Sequence, residues 1–296
     1  MRYSNLHTHS TYSDGKYSLE ENVLSAIEKQ MRSIGFSDHS FTSCDTSYCM
    51  RREHLEEYLK EIARLKDVYR DDIAIYSGLE LDHYSAIPHE AAKTKSLETG
   101  VLDDTYVEQN VRLFSDQDLQ SLDYLLACVH YIVKNGICYP IDHSKEQQIN
   151  CMQQAFDDDL FVMAQCYYDL LCELVEQVKP TVVGHFDVLT KFGLMPEEDE
   201  RYQTIARNAL KRIIKTCPYI EINTGAIARG WKTTPYPAPY LWDTLLQENA
   251  KIVLGSDSHH KDNLIFAFDE TVSRLKQAGF SSFYVFVGSG FEAVPI

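Results

Sequence analysis

Tyr3-Ser4-Asn5-Leu6-His7, Ser33-Ile34-Gly35-Phe36-Ser37 and Ile73-Ala74-Ile75-Tyr76-Ser77 are three short β-type runs, each followed within a few residues by an imidazole or a carboxylate. Between the first two, Ser18-Leu19-Glu20-Glu21 has the capping-box pattern, in which serine and glutamate satisfy free N–H groups at a helix start. Leu19, Val23, Ile27 and Met31 then recur every four residues and share one helix face. Between the second and third runs, Leu55, Tyr58, Leu59, Ile62, Leu65 and Tyr69 stripe another helix. Strands separated by helices imply parallel pairing, because parallel neighbours need a crossover of a dozen or more residues.

The alternation continues outward. Tyr124 to Val129, Thr181 to Gly184, Tyr219 to Ile222, Lys251 to Gly255 and Phe283 to Val287 read as further strands, with helices near 157–178, 201–215, 239–249 and 269–278. Seven or eight such units predict an α/β barrel. No composition break, Gly/Ser linker or internal repeat divides the 296 residues, so one domain over 1–296 is expected. The polar, weakly periodic stretch from Tyr84 to Ser115 reads as an insertion over the active face, at about 84–115.

Composition narrows the function classes. A hydrophobic content of 44% with 24% charged residues is globular. A net charge of −16 disfavours nucleic acid and anionic membranes and suits a small substrate with a cationic part. No apolar run approaches a membrane span, and the N-terminus has no signal-type stretch, so a cytoplasmic protein is expected. The cysteines include no C-x-x-C pair and read as buried thiols of a reducing compartment.

In a parallel barrel all strand C-termini meet on one face. His7 and His9 follow strand one, Asp38 and His39 strand two and Glu80 strand three; His130, His185, Asp257 and His259 close later strands. Residues i and i+2 of a strand face one way, so His7 and His9 can hold one ion together, as can Asp257 and His259 if extended. A set of imidazoles and carboxylates without thiolate suits Zn²⁺, Mn²⁺ or Fe in a hydrolytic site, and Glu80 has two oxygens with which to bridge ions.

His7-Thr8-His9, Tyr12-Ser13-Asp14-Gly15, Ser37-Asp38-His39, Gly78-Leu79-Glu80, Gly184-His185 and Gly255-Ser256-Asp257-Ser258-His259 resemble, in order, the motifs of the polymerase-and-histidinol-phosphatase (PHP) superfamily. Gly184 through Leu189, Glu221 through Gly225 with Arg229, and Tyr236-Pro237 look like its histidinol-phosphate phosphatase branch. The resemblance implies a distorted (β/α)7 TIM-like barrel with the metal site at the C-terminal ends of the strands. It implies three divalent transition-metal ions: His7, His9, Glu80 and Asp257 for the first, Glu80, His130 and His185 for the second, and Asp14, His39 and His259 for the third. Asp14 stands where some relatives carry histidine.

The implied reaction is hydrolysis of L-histidinol phosphate to L-histidinol and phosphate, in histidine biosynthesis, by a hydroxide bridging the first two ions. Glu80, Asp257 and His259 are the expected catalytic residues; Asp257, His259 or a metal-bound water would protonate the leaving group. Arg229 is the expected phosphoryl-binding residue, a surface salt bridge being its other reading. A phosphoesterase acting on sugar phosphates, nucleotides or diesters is the alternative, and a metal-binding domain without catalysis is a third reading that the full ligand set argues against. His54, His83, His89, His143 and His260 are expected to be surface or packing residues, and Tyr167-Tyr168 part of the core. Asp38 is ambiguous, and Asp187 either orients a ligand or caps a helix. A monomer or small homo-oligomer is the default.

Overall fold

Alternation along single strands explains how this chain makes both a core and a polar site. The computed structural model describes residues 3–42, 44–83 and 116–296. Seven strands pair in parallel in the order β1 (Ser4–Asn5), β2 (Ser33–Phe36), β3 (Ala74–Asp82), β4 (Tyr124–Cys128), β7 (Val182–Val183), β8 (Tyr219–Asn223) and β9 (Lys251–Gly255). The ring closes just beyond the first and last strands, where His9 N donates to Ser258 O at 2.9 Å and Ser258 N to His7 O at 3.0 Å. The architecture is the expected distorted (β/α)7 barrel.

On β3, Leu79 and Leu81 join the main core packed against the helices, while Glu80 turns the other way. On β8, Ile220 and Ile222 do the same and leave Glu221 and Asn223 facing inward. The lower interior is apolar: Leu6, Tyr124, Leu126, Val182 and Val253 form a second, smaller cluster with Phe286. The upper interior is polar and buried, which is where the ligand-type residues collect.

Helices cover the outside. α1 (Leu19–Glu28) has the expected capping box, with Ser18 accepting from Glu21 N and Glu21 accepting in return, and it buries Leu19, Val23 and Ala26. α2 (Leu55–Val68) buries Leu55, Tyr58, Ile62 and Leu65. After the short α3 (Asp116–Gln120) comes α4 (Lys145–Phe156), which was not expected, and then α5 (Leu160–Val178), the helix expected near 157–178. They are separated by Asp157 and Asp158 at φ of 50° and 63°, and Asp159 then caps α5 by accepting from Phe161 N and Val162 N. α6 (Glu200–Ile214), α7 (Gly225–Ala228), α8 (Trp242–Gln247) and α9 (Phe268–Ala278) complete the shell. Tyr167 and Tyr168 lie in the core, Tyr167 donating to Phe186 O at 2.9 Å.

Three expectations need correction, and one hairpin was not expected. The run expected at Phe283 to Val287 is not a barrel strand; β10 (Ser282–Phe286) pairs antiparallel with β11 (Phe291–Pro295). β5 (Tyr131–Lys134) and β6 (Ile137–Pro140) form a hairpin around Asn135-Gly136, a turn pair suited to positive φ. β3 runs past Glu80, which therefore lies within the strand rather than after it. Finally, Cys44 and Cys138 form a disulfide with Cα atoms 5.6 Å apart, so the all-thiol reading holds only for the other six cysteines. The 84–115 insertion and His89 lie outside the described residues. No described helix is long and apolar enough to cross a membrane.

Candidate metal centre

Glu80 is the residue around which the site is built. It lies on β3, buried, and its Oε1 is 2.8 Å from His185 Nε2 and 3.3 Å from both His7 Nε2 and His130 Nε2. Its Oε2 is 2.9 Å from His39 Nδ1 and 3.5 Å from His9 Nε2. One carboxylate thus faces five imidazoles drawn from four strand ends. Asp257 Oδ1 adds contacts of 3.2 Å to His9 Nε2 and 3.6 Å to His7 Nε2. Farther out, His259 Nε2 is 3.1 Å from Asp14 Oδ2, and His9 and His39 lie 3.7 and 3.8 Å from Asp14 Oδ1.

The structure therefore brings all nine expected ligand positions into one centre. They form overlapping groups whose ligand atoms are close enough for an ion: His7, His9 and Asp257; His7, Glu80 and His185; His39, Glu80 and His130; and His9, Asp14, His39 and His259. His9 stands between the deep and outer groups, a sharing that the sequence pattern did not suggest. Asp257 has φ of 47°, so the segment to His259 is not extended as the i, i+2 argument required. Both side chains reach the centre by a kink instead.

Buried lone pairs provide a test of whether metal ions suit these residues. His7 Nε2, both ring nitrogens of His9, Glu80 Oε2 and His185 Nδ1 are buried without a hydrogen-bond partner. Orphaned polar atoms on this scale are costly inside a protein, and an imidazole–carboxylate set is the donor chemistry of Zn, Mn or Fe. The residues present fit such ions. The electrostatics agree. Burial favours the neutral form of Glu80, but His39, His7 and His130 outweigh it and hold the carboxyl well below its usual range. Asp257 is held down likewise against burial, chiefly by Arg229 and His7. Burial, reinforced by His259 and His39, lowers His9 to about 3 and keeps it neutral, the form that ligates. His7 goes the other way, raised against its burial by Glu221, Glu80 and Asp257, the negative field that would attract a cation.

Three further carboxylates orient the centre, and two of them were missed from sequence. Glu221 Oε1 accepts from His7 Nδ1 at 2.8 Å, while its Oε2 accepts from His185 N at 2.8 Å and Asn223 Nδ2 at 2.9 Å. Gly255 leaves room for it, since a β-carbon there would collide with the Glu221 carboxylate. Asp82 Oδ2 lies 3.0 Å from His130 Nδ1 and accepts from His130 N at 2.7 Å. Such partners fix the ring and tautomer of a ligating histidine. A signal existed: acids within otherwise apolar strands, at i+2 from Glu80 for Asp82. Asp38, left ambiguous by sequence, accepts from Ser10 and Ser13 and holds the turn that carries Asp14.

Arg229 is at the centre, though not free. Its Nη2 donates to Asp257 Oδ2 at 2.6 Å and its Nη1 to Asp257 O at 3.0 Å, with a third of the side chain exposed. Gly225 makes room for the guanidinium. Asp187 precedes the short turn Val188–Thr190 without a side-chain cap hydrogen bond to it, and its carboxylate accepts from Ala238 N at 2.9 Å. Of the histidines expected to be bland, His54 is exposed, His83 bonds Glu173, His260 lies 3.0 Å from the Tyr17 hydroxyl, and His143 lines the cavity wall. That cavity, of about 500 Å³, opens over the centre and is the size that small-molecule ligands occupy.

A PHP domain model matches residues 5–225. The chain is 27% identical to a probable histidinol-phosphatase of Schizosaccharomyces pombe, over 93% of this chain and 87% of that one. It is 23% identical to the histidinol-phosphatase of Bacillus subtilis, over 92% and 98%. The crystal structure of Lactococcus lactis histidinol phosphate phosphatase complexed with zinc, L-histidinol and phosphate superposes with a TM-score of 0.66 at 20% identity, covering 98% of this chain and 99% of that one. The match spans well over half of the chain and its ligand-type residues meet in one buried centre: this protein belongs to the PHP domain family and is a metal-dependent phosphoesterase of it.

Proposed function

We propose that the protein hydrolyses L-histidinol phosphate to L-histidinol and phosphate. The observation that carries the phosphomonoesterase part is Glu80 ringed by five imidazoles beneath a cavity whose wall includes Arg229. The substrate is supported by relatives that span nearly the full length and bear that activity in their names.

In this reading His7, His9, Glu80 and Asp257 would hold one ion, Glu80, His130 and His185 a second, and Asp14, His39 and His259 a third. Bound ions would supply positive charge to the phosphoryl oxygens and make a water acidic enough to attack at neutral pH. The chain's own residues do the rest. Glu80 keeps its charge and ties the deep groups together. Glu221 and Asp82 hold the rings of His7 and His130 in the orientation that points Nε2 at the centre. Arg229, braced on Asp257, offers its remaining N–H groups to a phosphoryl oxygen, where a fixed donor stabilises charge as it builds in the transition state. Because catalysis of this kind is positioning and electrostatics, the rigid strand ends suit it.

Purified protein should hydrolyse histidinol phosphate with a higher kcat/KM than sugar phosphates, nucleotides or bis-p-nitrophenyl phosphate. Elemental analysis should find two to three transition-metal ions per chain, and chelation should abolish turnover. A higher kcat/KM on another ester would assign the site to that substrate instead, and full activity after complete demetallation would reject the metal-dependent mechanism.

A further inference from the structure

The cavity has two acids on its wall, beyond the ligand-type set, that differ in what they already do. Asp45 Oδ1 accepts from Ser47 N at 2.8 Å and Ser47 Oγ at 2.6 Å, so it is spent on its own turn. Asp142 has a fixed backbone and an unspent carboxylate. Ile141 N donates to His130 O at 2.9 Å and Gln148 Nε2 to Ile141 O at 2.9 Å, while the Lys191 ammonium donates to the backbone oxygen of Asp142. These bonds hang Asp142 directly on the segment that carries His130. The carboxylate itself has only an ion pair with Lys191, at 3.6 Å, and no hydrogen bond among the described residues; it is 22% exposed. Burial would favour its neutral form, but Lys191 and the nearby imidazoles keep it ionised.

We propose that Asp142 selects phosphate esters that carry a protonated amine. An ionised carboxylate has about four acceptor sites, and here the Lys191 ammonium, bonded to the backbone oxygen, faces them at 3.6 Å without a hydrogen bond. A ligand ammonium brings three N–H donors and cancels the exposed charge. The metal groups and Arg229 take the phosphoryl end, so a carboxylate of the same cavity lining that belongs to neither is left to read the organic end. The inference rests on the phosphomonoesterase reading and adds to it the group that distinguishes one ester from another. The competing role is structural: Asp142 and Lys191 pairing only to pin the turn after β6 to the segment after His185.

The test is a ratio. For the metal-replete protein, kcat/KM is measured on histidinol phosphate and on the phosphate ester of 3-(imidazol-4-yl)propan-1-ol, which lacks only the amine. Asp142→Asn should lower the ratio of the two roughly 10- to 100-fold, the scale of a charged hydrogen bond, whereas Asp45→Asn should leave it as it is. Equal loss on both esters would show the structural role and overturn the proposal, as would an unchanged ratio or a ratio that responds to Asp45→Asn instead. Calorimetric binding of L-histidinol against its amine-free analogue separates this inference from the reading beneath it. Asp142-dependent preference for L-histidinol without hydrolysis of either ester would keep the recognition and reject the phosphatase; hydrolysis with no Asp142 dependence would do the reverse. Neither hydrolysis nor binding would overturn both.

Discussion

Glu80 and Asp14 are both carboxylates set among imidazoles, yet Glu80 is sealed from solvent while a third of the Asp14 side chain is open to it. Glu80 lies inside β3, paired with Leu126 of β4 on one side, while on the other its N donates to Asp38 O at 3.2 Å and its O accepts from Ser40 N at 2.9 Å, just beyond β2. Asp14 lies on a turn held by Asp38 through Ser10 and Ser13. The deep half of the site is thus part of the sheet and is preorganised by folding, with Glu221 and Asp82 aligning its rings. The outer half hangs on local hydrogen bonds and on Arg229, and it faces the cavity. The difference separates two jobs: holding charge in fixed positions, and meeting a substrate that must enter and leave.

The sharpest way to break that division is Glu80→Gln. The change keeps the shape and removes the charge facing five imidazoles, so turnover should fall ~10³-fold or more and elemental analysis should show loss from the deep groups. Near-native metal content and rate would mean that Glu80 joins nothing. Next in size is Arg229→Lys, at the outer edge. A lysine cannot reproduce the guanidinium fork, so kcat/KM should drop by ~10² while bound metal stays constant; parallel loss of metal would move Arg229 from the outer half to the deep one.

Glu221→Gln tests whether a residue that touches no substrate supports the deep half. A loss of roughly 10-fold to 100-fold in metal affinity or activity is expected, read by chelator competition, since the partner that aligns His7 and His185 keeps its size and loses its charge. The smallest effect belongs outside both halves. Ser18→Ala removes the α1 cap and should cost about 1 kcal/mol in denaturant unfolding with kinetics untouched; altered kcat would tie the α1 start to the site.

Much of the deep half is legible in sequence because it breaks a strong rule. Histidine and acid at the ends of apolar strands have no place in a plain core, and parallel topology makes those ends converge. The 18–21 capping box and the striped helices are legible for the same reason: each is local and periodic. Glu221 and Asp82 escape notice because their role is set by who lies across the barrel, not by neighbours in sequence. The kink at Asp257 escapes because a single positive φ in a non-glycine residue leaves no pattern. α4 is missed because its polar Lys145-Glu146-Gln147-Gln148 start hides the buried Gln148, Cys151 and Ala155, and the Asn135-Gly136 turn signals a hairpin that was passed over in favour of parallel strands. The Cys44–Cys138 pair, 94 positions apart, has no local signature at all.

That pair closes the chain on itself. Residues 44 to 138 become a covalent ring that takes in α2, β3 with Glu80, β4 and His130. In the unfolded chain a ring of this size removes conformational freedom on the order of 4 kcal/mol. It also changes what a break in the backbone means: a single cut anywhere from 45 to 137 leaves two pieces that remain one molecule, with His7, His9 and His39 on one side still bonded through sulfur to His185, Asp257 and His259 on the other.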